Sequence, residues 1–514
     1  MATGGNRLLI RGGRVYDHDG DVHHPAIADI LIEGAEITHV GPDLAATTSD
    51  AVPDAVREAA REAEVLDASN RLVVPGLFNA HYHSHDTLCR GMFEELPLEM
   101  WLLYTMPLGA NRSLEEVRAR TLVGALESLR CGITTVQDML GLIPPDDEYV
   151  DVVLAAYEEA GIRVVFSPMV YDIPATAMVH HPDKLPPATQ VLLGDRAPDA
   201  RFQLDFIEAQ LARHPAAGRL HWAVAPFAPQ RCSPELLQGC GDFAARHDLQ
   251  IYTHVYETRG QVLIARETYA DYGGSLIGYL DSAGLLGPRL NIVHSVWIGR
   301  DEMDRMAAAD AGIVLNHLSN MKLKSGIAPV CDLREAGVRL ALGCDNCSGS
   351  DVQNQFQAMK MFCLIAAVSD PEPGPPLAHE ALRHATMGSA RSAGLDDCLG
   401  AIRPGFKADL MVLDLADPAW LPFNSAARQL VYTETGRSVE TVIVDGCIVM
   451  KDRRMLSVDE DALRAEVAEL MEGFTADYHE LERTREDALS HMRDAHRRMW
   501  QGDVGLNRFL SRTR

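Results

Sequence analysis

The fold of this chain is decided by the stretch Pro75-Gly76-Leu77-Phe78-Asn79-Ala80-His81-Tyr82-His83. It directly follows Leu72–Val74, a short apolar run that is typical of a buried strand. Side chains at positions i and i+2 of an extended backbone point the same way, so His81 and His83 can direct two imidazoles at one point. A pair of histidines with this spacing is common by chance, and its position after a predicted strand is what makes it informative.

Seven further apolar runs follow, separated by amphipathic helical stretches. Each run is almost continuously hydrophobic, which is typical of a parallel strand buried on both faces. Eight β/α units over about 300 residues predict an α/β fold, a (β/α)8 TIM barrel with insertions. The eight predicted strands are Leu72–Val74, Ile133–Val136, Arg163–Phe166, Leu220–Ala225, Gln250–Thr253, Asn291–Val293, Gly312–Leu315 and Arg339–Leu342.

The regions on either side of the barrel have different patterns. Residues 1–70 and 404–456 contain short apolar runs and turn signals that predict strands. Residues 457–514 are charged and have a helical period, which predicts a helical C-terminal extension packed on the barrel or on a partner. We therefore place the barrel at residues 71–403.

Charge and cysteine content narrow the classes of partner. The 514 residues include 47 Lys and Arg and 73 Asp and Glu, a formal net charge of −26. Such a surface repels phosphate backbones and anionic bilayers, so we expect no nucleic acid and no membrane as partners. No run of eighteen apolar residues and no leader pattern is found, and the ten cysteines are scattered. These features predict a cytoplasmic protein, and the charged C-terminal region is compatible with a homo-oligomer.

Four chemically versatile residues lie at the ends of later predicted strands. His254 and His294 end the fifth and sixth strands, Asp345 follows the eighth, and Glu257 lies three residues beyond His254. Each has an ordinary structural explanation by itself, such as a helix cap for Asp345. The carboxyl ends of barrel strands share one face, however, and that face holds the active site in TIM barrels. Together with the first two histidines, these residues predict a metal site.

Imidazole and carboxylate ligands suit Zn²⁺ or Fe²⁺. A bound divalent cation lowers the pKa of its water towards about 7, which supplies hydroxide at neutral pH. A nearby carboxylate outside the ligand set can then move protons, and Glu257 has that position. The pattern indicates metal-dependent hydrolysis.

The chain resembles the amidohydrolase superfamily, specifically its branch of methylthioadenosine/adenosylhomocysteine deaminases, triazine hydrolases and related aminohydrolases. The resemblance extends from about residue 7 to about residue 455. The matching segments are VVPGLFNAHYHSH, RGMFEELPLEMWL, CGITTVQDM, IYTHVYET, HSVWI, LSNMKLKSGIAP, LGCD, HATMGSARSAGLDDCLGAIRPGFKADLMVLDL and VETVIVDGCIVM.

The resemblance implies a mononuclear metal site. Binuclear members bridge two metals with a modified lysine on strand four, and Leu220–Pro226 has no lysine. We therefore expect one divalent ion, Zn²⁺ with Fe²⁺ as the alternative, and a composite β-sandwich formed by the two flanks. The implied metal ligands are His81, His83, His254 and Asp345.

The resemblance also implies the catalytic roles. Glu257 would be the proton shuttle, and His294 would polarise the hydroxide or the tetrahedral intermediate. Asp345 would take the proton from the attacking water.

The implied substrate pocket departs from that of nucleoside-type members. Their glutamate, arginine and histidine contacts are replaced here by Leu108-Gly109, Ser167-Pro168 and Phe227. A site without the partners of a polar substrate binds that substrate poorly, so we expect a planar, weakly polar heteroaromatic amine instead of an adenosine-type substrate. The candidate substrate contacts are His85, Trp101, Tyr104, Phe227, His317, Asn346 and Ser348.

We therefore expect a small-molecule hydrolase that deaminates a nitrogen heterocycle with one divalent metal ion. Hydrolysis of an amide, a urea or a C–Cl bond is the first alternative, since the same nucleophile serves any such carbon. A metal-free scaffold is a remote alternative. The GxSxG and GxxxxGK[ST] patterns of serine hydrolases and P-loop proteins are absent.

Overall fold

A computed structural model describes residues 7–45, 52–110, 112–194, 197–372, 374 and 377–510. Residues 1–6 and 511–514, the ends of the predicted first and last segments, lie outside the described residues. Within the described ranges, the strands assemble into two nine-stranded sheets. No helix in these ranges is both long enough and apolar enough to cross a bilayer. The ten cysteines, all of them described, form no disulfide.

Five strands and one short helix come first. Strand β1 pairs with β2 in antiparallel orientation and with β4 and β5 in parallel orientation. These elements are β1 (Arg7–Val15), β2 (Ile27–Glu33), β3 (Glu36–Gly41), α1 (Asp54–Glu62), β4 (Glu64–Asp67) and β5 (Arg71–Pro75).

The next nine strands form a parallel sheet that closes on itself. They are β6 (Leu77–His83), β7 (Ile133–Leu140), β8 (Arg163–Val170), β9 (Leu220–Pro226), β10 (Gln250–Val255), β11 (Leu290–His294), β12 (Gly312–Leu315), β13 (Arg339–Leu342) and β14 (Asp345–Asn346). Consecutive strands β13 and β14 complete the ring, because β13 pairs with β12 and β14 pairs with β6. The sheet is therefore an eight-position barrel, as the sequence predicts.

The first predicted barrel strand was wrong. Leu72–Val74 belongs to β5 of the other sheet, and β6, which contains His81 and His83, is the first strand of the barrel. Both strands are fully buried over their apolar residues, so hydrophobicity does not distinguish them. The break falls at Gly76, where a Cβ would come within 2.2 Å of Thr134 Oγ1. The other seven predicted strands are confirmed, several of them with longer bounds.

Helices cover the outside of the barrel and connect its strands. They are α2 (Leu98–Gly109), α3 (Leu114–Arg130), α4 (Asp147–Ala160), α5 (Pro187–Leu193), α6 (Ala200–Arg213), α7 (Pro234–His247), α8 (Arg259–Thr268), α9 (Leu276–Ser282), α10 (Arg300–Ala308), α11 (His317–Lys322), α12 (Val330–Ala336), α13 (Cys347–Ser350), α14 (Gln355–Ser369), α15 (Leu377–Arg383), α16 (Ser389–Ser392) and α17 (Ala426–Tyr432).

The remaining strands return to the first sheet. They are β15 (Leu410–Asp414), β16 (Val439–Val444), β17 (Cys447–Lys451) and β18 (Arg454–Met455). Strand β15 pairs with β5, so the two flanks of the chain share one mixed sheet. The sequence predicts such a composite β-structure from the two flanks. The division of the chain into domains at residues 70, 403 and 456 stays a prediction.

The C-terminal extension contains one long helix, α18 (Glu460–Met499). Its buried side chains Phe474 and Met492 pack with Trp101 and Tyr104 of α2 in one apolar cluster. The helix therefore lies beside the segment that follows the first barrel strand, at the end of the barrel where the strands finish.

A buried ion pair joins the barrel to the mixed sheet. Arg163 begins β8, and its guanidinium donates to both carboxylate oxygens of Asp409 at 2.9 and 3.0 Å and to Asp445 at 2.9 Å. The side chains of Arg163 and Asp409 are 1% and 3% exposed. The charges are desolvated and depend on each other, so removing one partner leaves an uncompensated buried charge.

Substituting Asp409→Asn is expected to lower the free energy of unfolding by about 3 kcal/mol, because the Arg163 guanidinium loses its bidentate partner inside the protein. Urea unfolding followed by circular dichroism measures this. The matched control is Asp304→Asn, in a pair with Arg300 whose side chains are 55% and 53% exposed, and its unfolding midpoint should not move. Equal midpoints for the two variants would show that the buried pair does not hold the two sheets together.

Candidate metal centre

The predicted ligands and the predicted catalytic residue His294 converge at the end of the barrel where the strands finish. His81 and His83 lie on β6, His254 on β10 and His294 at the end of β11. The fifth residue, Asp345, opens β14 and is in register with Tyr82, the residue between the first two histidines. The pairing that closes the barrel is thus the pairing that brings the carboxylate to the histidines.

The ligand atoms are spaced as a small cation requires. Asp345 Oδ1 lies 3.4 Å from His81 Nε2 and 3.5 Å from His83 Nε2, and His83 Nε2 lies 3.4 Å from His254 Nε2. Tetrahedral zinc with bonds of 2.0–2.1 Å to nitrogen places neighbouring ligand atoms about 3.4 Å apart. Two groups of ligand atoms lie within 4.8 Å of one another, His81 with His83 and Asp345, and His81 with His254 and His294. Such spacing is compatible with a zinc-sized ion.

Three of the imidazoles are oriented by their other ring nitrogen. Nδ1 lies 2.5 Å from the Met139 carbonyl oxygen in His83 and 2.6 Å from the Phe227 carbonyl oxygen in His254. In His294 it lies 2.8 Å from the side-chain oxygen of Asn320. An N–H on Nδ1 that donates to these oxygens leaves the Nε2 lone pair directed at the centre of the cluster, as in metal-binding histidines.

Burial favours the neutral form of the histidines. Desolvation lowers the pKa of His81 to about 4 and those of His83 and His254 to about 3. Neutral imidazole is the form that binds a metal ion, so no proton has to be displaced near pH 7.

Three polar atoms of His81 and Asp345 have no hydrogen bond. His81 Nδ1, His81 Nε2 and Asp345 Oδ1 are buried and lack a hydrogen-bond partner among the described residues, and the contact between Nε2 and Oδ1 does not have hydrogen-bond geometry. Buried polar atoms without partners are rare in native proteins, because desolvation is then uncompensated. A divalent cation would satisfy His81 Nε2 and Asp345 Oδ1. Imidazole nitrogen and carboxylate oxygen are zinc ligands in proteins, so these residues fit a metal ion.

Two residues of the site have left-handed backbone. The φ angles of His294 and Asp345 are 75° and 65°, a conformation that costs a non-glycine residue on the order of 1–3 kcal/mol. His294 ends β11 and Asp345 begins β14, and both lie where the barrel strands finish. Packing of the surrounding barrel offsets this strain.

Glu257 lies beside the ligands. Its Oε2 is 3.5 Å from His294 Nε2, and its Oε1 is buried without a hydrogen-bond partner among the described residues. Burial and then the negative charge of Asp345 raise the pKa of Glu257 well above its ordinary value. The raised pKa favours the protonated carboxyl group, the form that a general acid requires.

Three further residues that support the site were missed by sequence reasoning. The Ser319 hydroxyl donates to Asp345 Oδ2, and Asn320 holds His294 as described above. Asp86 accepts the backbone N–H groups of Cys347 and Ser348 at 3.0 and 3.1 Å, which holds the segment after β14. All three lie inside or beside the quoted motifs, but a serine, an asparagine and an aspartate in short helical segments have no spacing that indicates a partner.

A small cavity of about 40 Å³ opens on the cluster. Four of the seven predicted substrate contacts line it, namely His85, Trp101, Phe227 and Asn346. They lie on different elements, and the two aromatic side chains provide flat apolar surface. As substrate contacts, they stay a prediction.

The other three candidates have different surroundings. The Ser348 hydroxyl accepts from Trp101 Nε1 at 3.0 Å, so it supports a wall of the cavity. Tyr104 packs with Phe93 and with Tyr478 of α18, and His317 is buried with its ring near Phe362. The structure does not bring Tyr104 or His317 to this cavity.

Curated relatives match most of the chain. The 5'-deoxyadenosine deaminase of Methanothermobacter thermautotrophicus is 32% identical over 463 residues, which covers 90% of this chain and 97% of that protein. The 5-methylthioadenosine/S-adenosylhomocysteine deaminase of Syntrophobacter fumaroxidans is 33% identical over 467 residues, 90% of this chain and 96% of that protein.

A solved structure has the same fold. A variant of the atrazine chlorohydrolase of Arthrobacter aurescens TC1, complexed with zinc and atraton, superposes with a TM-score of 0.77. It is 25% identical and covers 90% of this chain and 99% of that one. The model of the Amidohydrolase family matches residues 72–449. With this match over more than half of its length, the chain belongs to the amidohydrolase family.

Proposed function

We propose that this protein is a metal-dependent aminohydrolase that removes ammonia from a small nitrogen heterocycle. The observation that carries the proposal is the convergence of six buried residues at one end of the barrel. The family is metal-dependent, and relatives named as deaminases support the reaction class. The six residues are His81, His83, His254, Glu257, His294 and Asp345.

We propose one zinc ion, with Fe²⁺ as the alternative, held by His81, His83, His254 and Asp345. The spacing of their ligand atoms supports a single site, and β9 offers no lysine that could bridge a second ion. A solved structure of the same fold contains zinc. When bound, a divalent cation in this position lowers the pKa of a water molecule and so supplies a nucleophile at neutral pH.

The protein's own groups then move the protons. Asp345 accepts a proton from the attacking water. Glu257, with its raised pKa, gives its proton to the ring nitrogen of the substrate. The proton that Asp345 has taken from the water is passed to the leaving amine, and the remaining hydroxyl proton returns to Glu257 as the C–N bond breaks. His294 Nε2 lies 3.5 Å from Glu257 Oε2 and 3.9 Å from Asp345 Oδ2, where it orients the attacking oxygen by a hydrogen bond.

Hydrolysis of a C–Cl bond, an amide or a urea is the second candidate, because the same groups act on any electrophilic sp² carbon. The similarity to the atrazine chlorohydrolase favours the C–Cl bond among these. Assays of ammonia, amine and chloride release from matched heterocycles that differ only in the leaving group distinguish the candidates. Faster release of ammonia than of amine or chloride would support the proposed deamination. Faster release of chloride would show that C–Cl hydrolysis is the main reaction.

A metal-free scaffold remains the most distant alternative. It would be indicated by a purified protein that contains no divalent metal, is fully stable and has no hydrolytic activity. A cytoplasmic location and a homo-oligomeric state also stay predictions.

Substituting Glu257→Gln is expected to keep the metal and to lower kcat by 10²–10⁴-fold, the usual contribution of a general acid or base. The amide cannot carry the proton that the carboxyl group transfers. Steady-state ammonia release measures kcat, and mass spectrometry of the purified variant measures whether the metal is retained. The control is Glu335→Gln, whose side chain is 70% exposed and whose kcat should equal that of the unmodified protein. Full activity of the first variant would disprove the proton-shuttle role.

Substituting His254→Ala is expected to weaken metal binding by at least tenfold, because one of four ligands is lost. Competition with a chromogenic chelator measures the dissociation constant. The matched control is His479→Ala on α18, where the side chain is 67% exposed and metal affinity should not change. An unchanged affinity in the first variant would remove His254 from the ligand set.

A further inference from the structure

A second and larger chamber opens next to the metal cavity. Its volume is about 220 Å³, against about 40 Å³ for the cavity at the metal cluster. The two spaces have four apolar lining residues in common, and these residues form the boundary between them. They are Leu102, Met106, Met178 and Phe227.

The wall of this chamber is mainly apolar and comes from distant parts of the chain. Helix α2 contributes Leu103, the segment after β8 contributes Tyr171 and Val179, and α18 contributes Met492. Beyond these and the four shared residues, the apolar lining consists of Pro107, Ala110, Ile143, Ala175, Leu192 and Leu193.

Three charged side chains also line the chamber. The Arg231 guanidinium lies over the ring of Tyr171, 4.2 Å from its centroid, and its Nε donates to the Ile173 carbonyl oxygen at 2.6 Å. Arg485 of α18 donates to the Leu103 carbonyl oxygen at 2.5 Å. The third, Glu99, is half-buried at an edge that also borders a neighbouring small cavity. One nitrogen of each guanidinium thus donates to the protein backbone, and the rest of the lining, apart from Glu99, is apolar.

We propose that this chamber binds an apolar alkyl or aryl substituent of the heterocyclic amine whose reactive carbon lies at the metal centre. The inference rests on the proposed function and specifies its substrate class. Its basis is adjacency, since the cavity at the metal cluster and the chamber share four apolar lining residues, Phe227 among them. A hydroxylated substituent such as a ribose would be desolvated against this wall without enough partners for its hydroxyl groups.

The size of the effect follows from the transfer of apolar groups out of water. Each buried methylene improves binding by about fourfold when the chamber needs no rearrangement. A propyl group should therefore improve kcat/KM by a factor on the order of 50, and a phenyl group by at least as much.

The test compares 4-aminopyrimidine with its 6-propyl and 6-phenyl derivatives on the zinc-loaded protein. We expect kcat/KM for ammonia release to rise in the order hydrogen, propyl, phenyl. Equal values, or a decrease with substituent size, would overturn the inference while leaving the proposed deamination in place.

A chamber-filling variant localises the effect. Ala175→Phe should reduce the ratio of kcat/KM between the phenyl derivative and the parent amine to near 1. Ala177→Phe is the matched control, because Ala177 belongs to the same short 3₁₀-helix but does not line the chamber, and it should preserve the ratio. Ala110→Phe fills the chamber from the residue that follows α2, and it replaces the first variant if that one does not fold. An unchanged ratio in a folded chamber-filling variant would place the substituent elsewhere.

Binding of non-hydrolysable analogues separates the inference from the reaction. Titration calorimetry of the zinc-loaded protein with 4-methylpyrimidine and 4-methyl-6-phenylpyrimidine should give at least tenfold tighter binding of the phenyl compound. If no amine releases ammonia but this difference is found and is lost in Ala175→Phe, the chamber inference stands and the proposed deamination fails. If the two analogues bind equally, the chamber inference fails whatever the activity.

Discussion

The pairing of β14 with β6 is the interaction on which the rest of this structure depends. It closes the barrel, and it does so through Asp345 and Asn346 opposite Tyr82 and His83. The closing register therefore determines whether the carboxylate reaches the two imidazoles of β6. A slip by one residue would turn the histidines away from the barrel axis, because alternate residues of a strand face opposite sides. Assembly of the barrel and assembly of the metal cluster are thus one structural event.

The cluster is costly to the protein without its ion. Histidines, a carboxylate and Glu257 are all removed from water, two strand ends have strained backbone, and His81 Nε2 has no hydrogen bond. Each of these features lowers stability, and none improves packing. Groups that bind only the folded protein stabilise it, so a bound cation compensates for this local cost. The same desolvation that is unfavourable for the fold keeps the imidazoles neutral and raises the pKa of Glu257, which is the condition under which these groups can bind a metal and transfer a proton.

Residues in motifs with a regular spacing could be predicted from the sequence, and residues positioned by packing could not. The alternation of His81 and His83 and the later strand ends predict the cluster, since strand ends of a barrel share one face. Leu72–Val74 was misplaced because a strand buried by the mixed sheet and a strand of the barrel are equally apolar. Tyr104 is an aromatic residue of the kind that often lines a substrate pocket. The side of α2 on which it lies faces Tyr478 of α18, however, which is distant in the sequence. Which face of a helix meets the substrate depends on such long-range packing, and no local pattern records it.

The C-terminal region shows how far this dependence extends. Arg508 donates to the backbone oxygens of Val296 and Ile298 at 2.8 and 3.0 Å, in the loop that follows His294. Arg259, two residues after Glu257, donates to the backbone oxygen of Gly502. The loops behind two proposed catalytic residues are therefore held by the last described segment of the chain, and α18 also forms a wall of the apolar chamber. Because the barrel strands contribute the proposed ligands and the C-terminal region contributes this wall, we expect changes in the C-terminal region to alter substrate choice while the cluster of histidines and Asp345 stays intact.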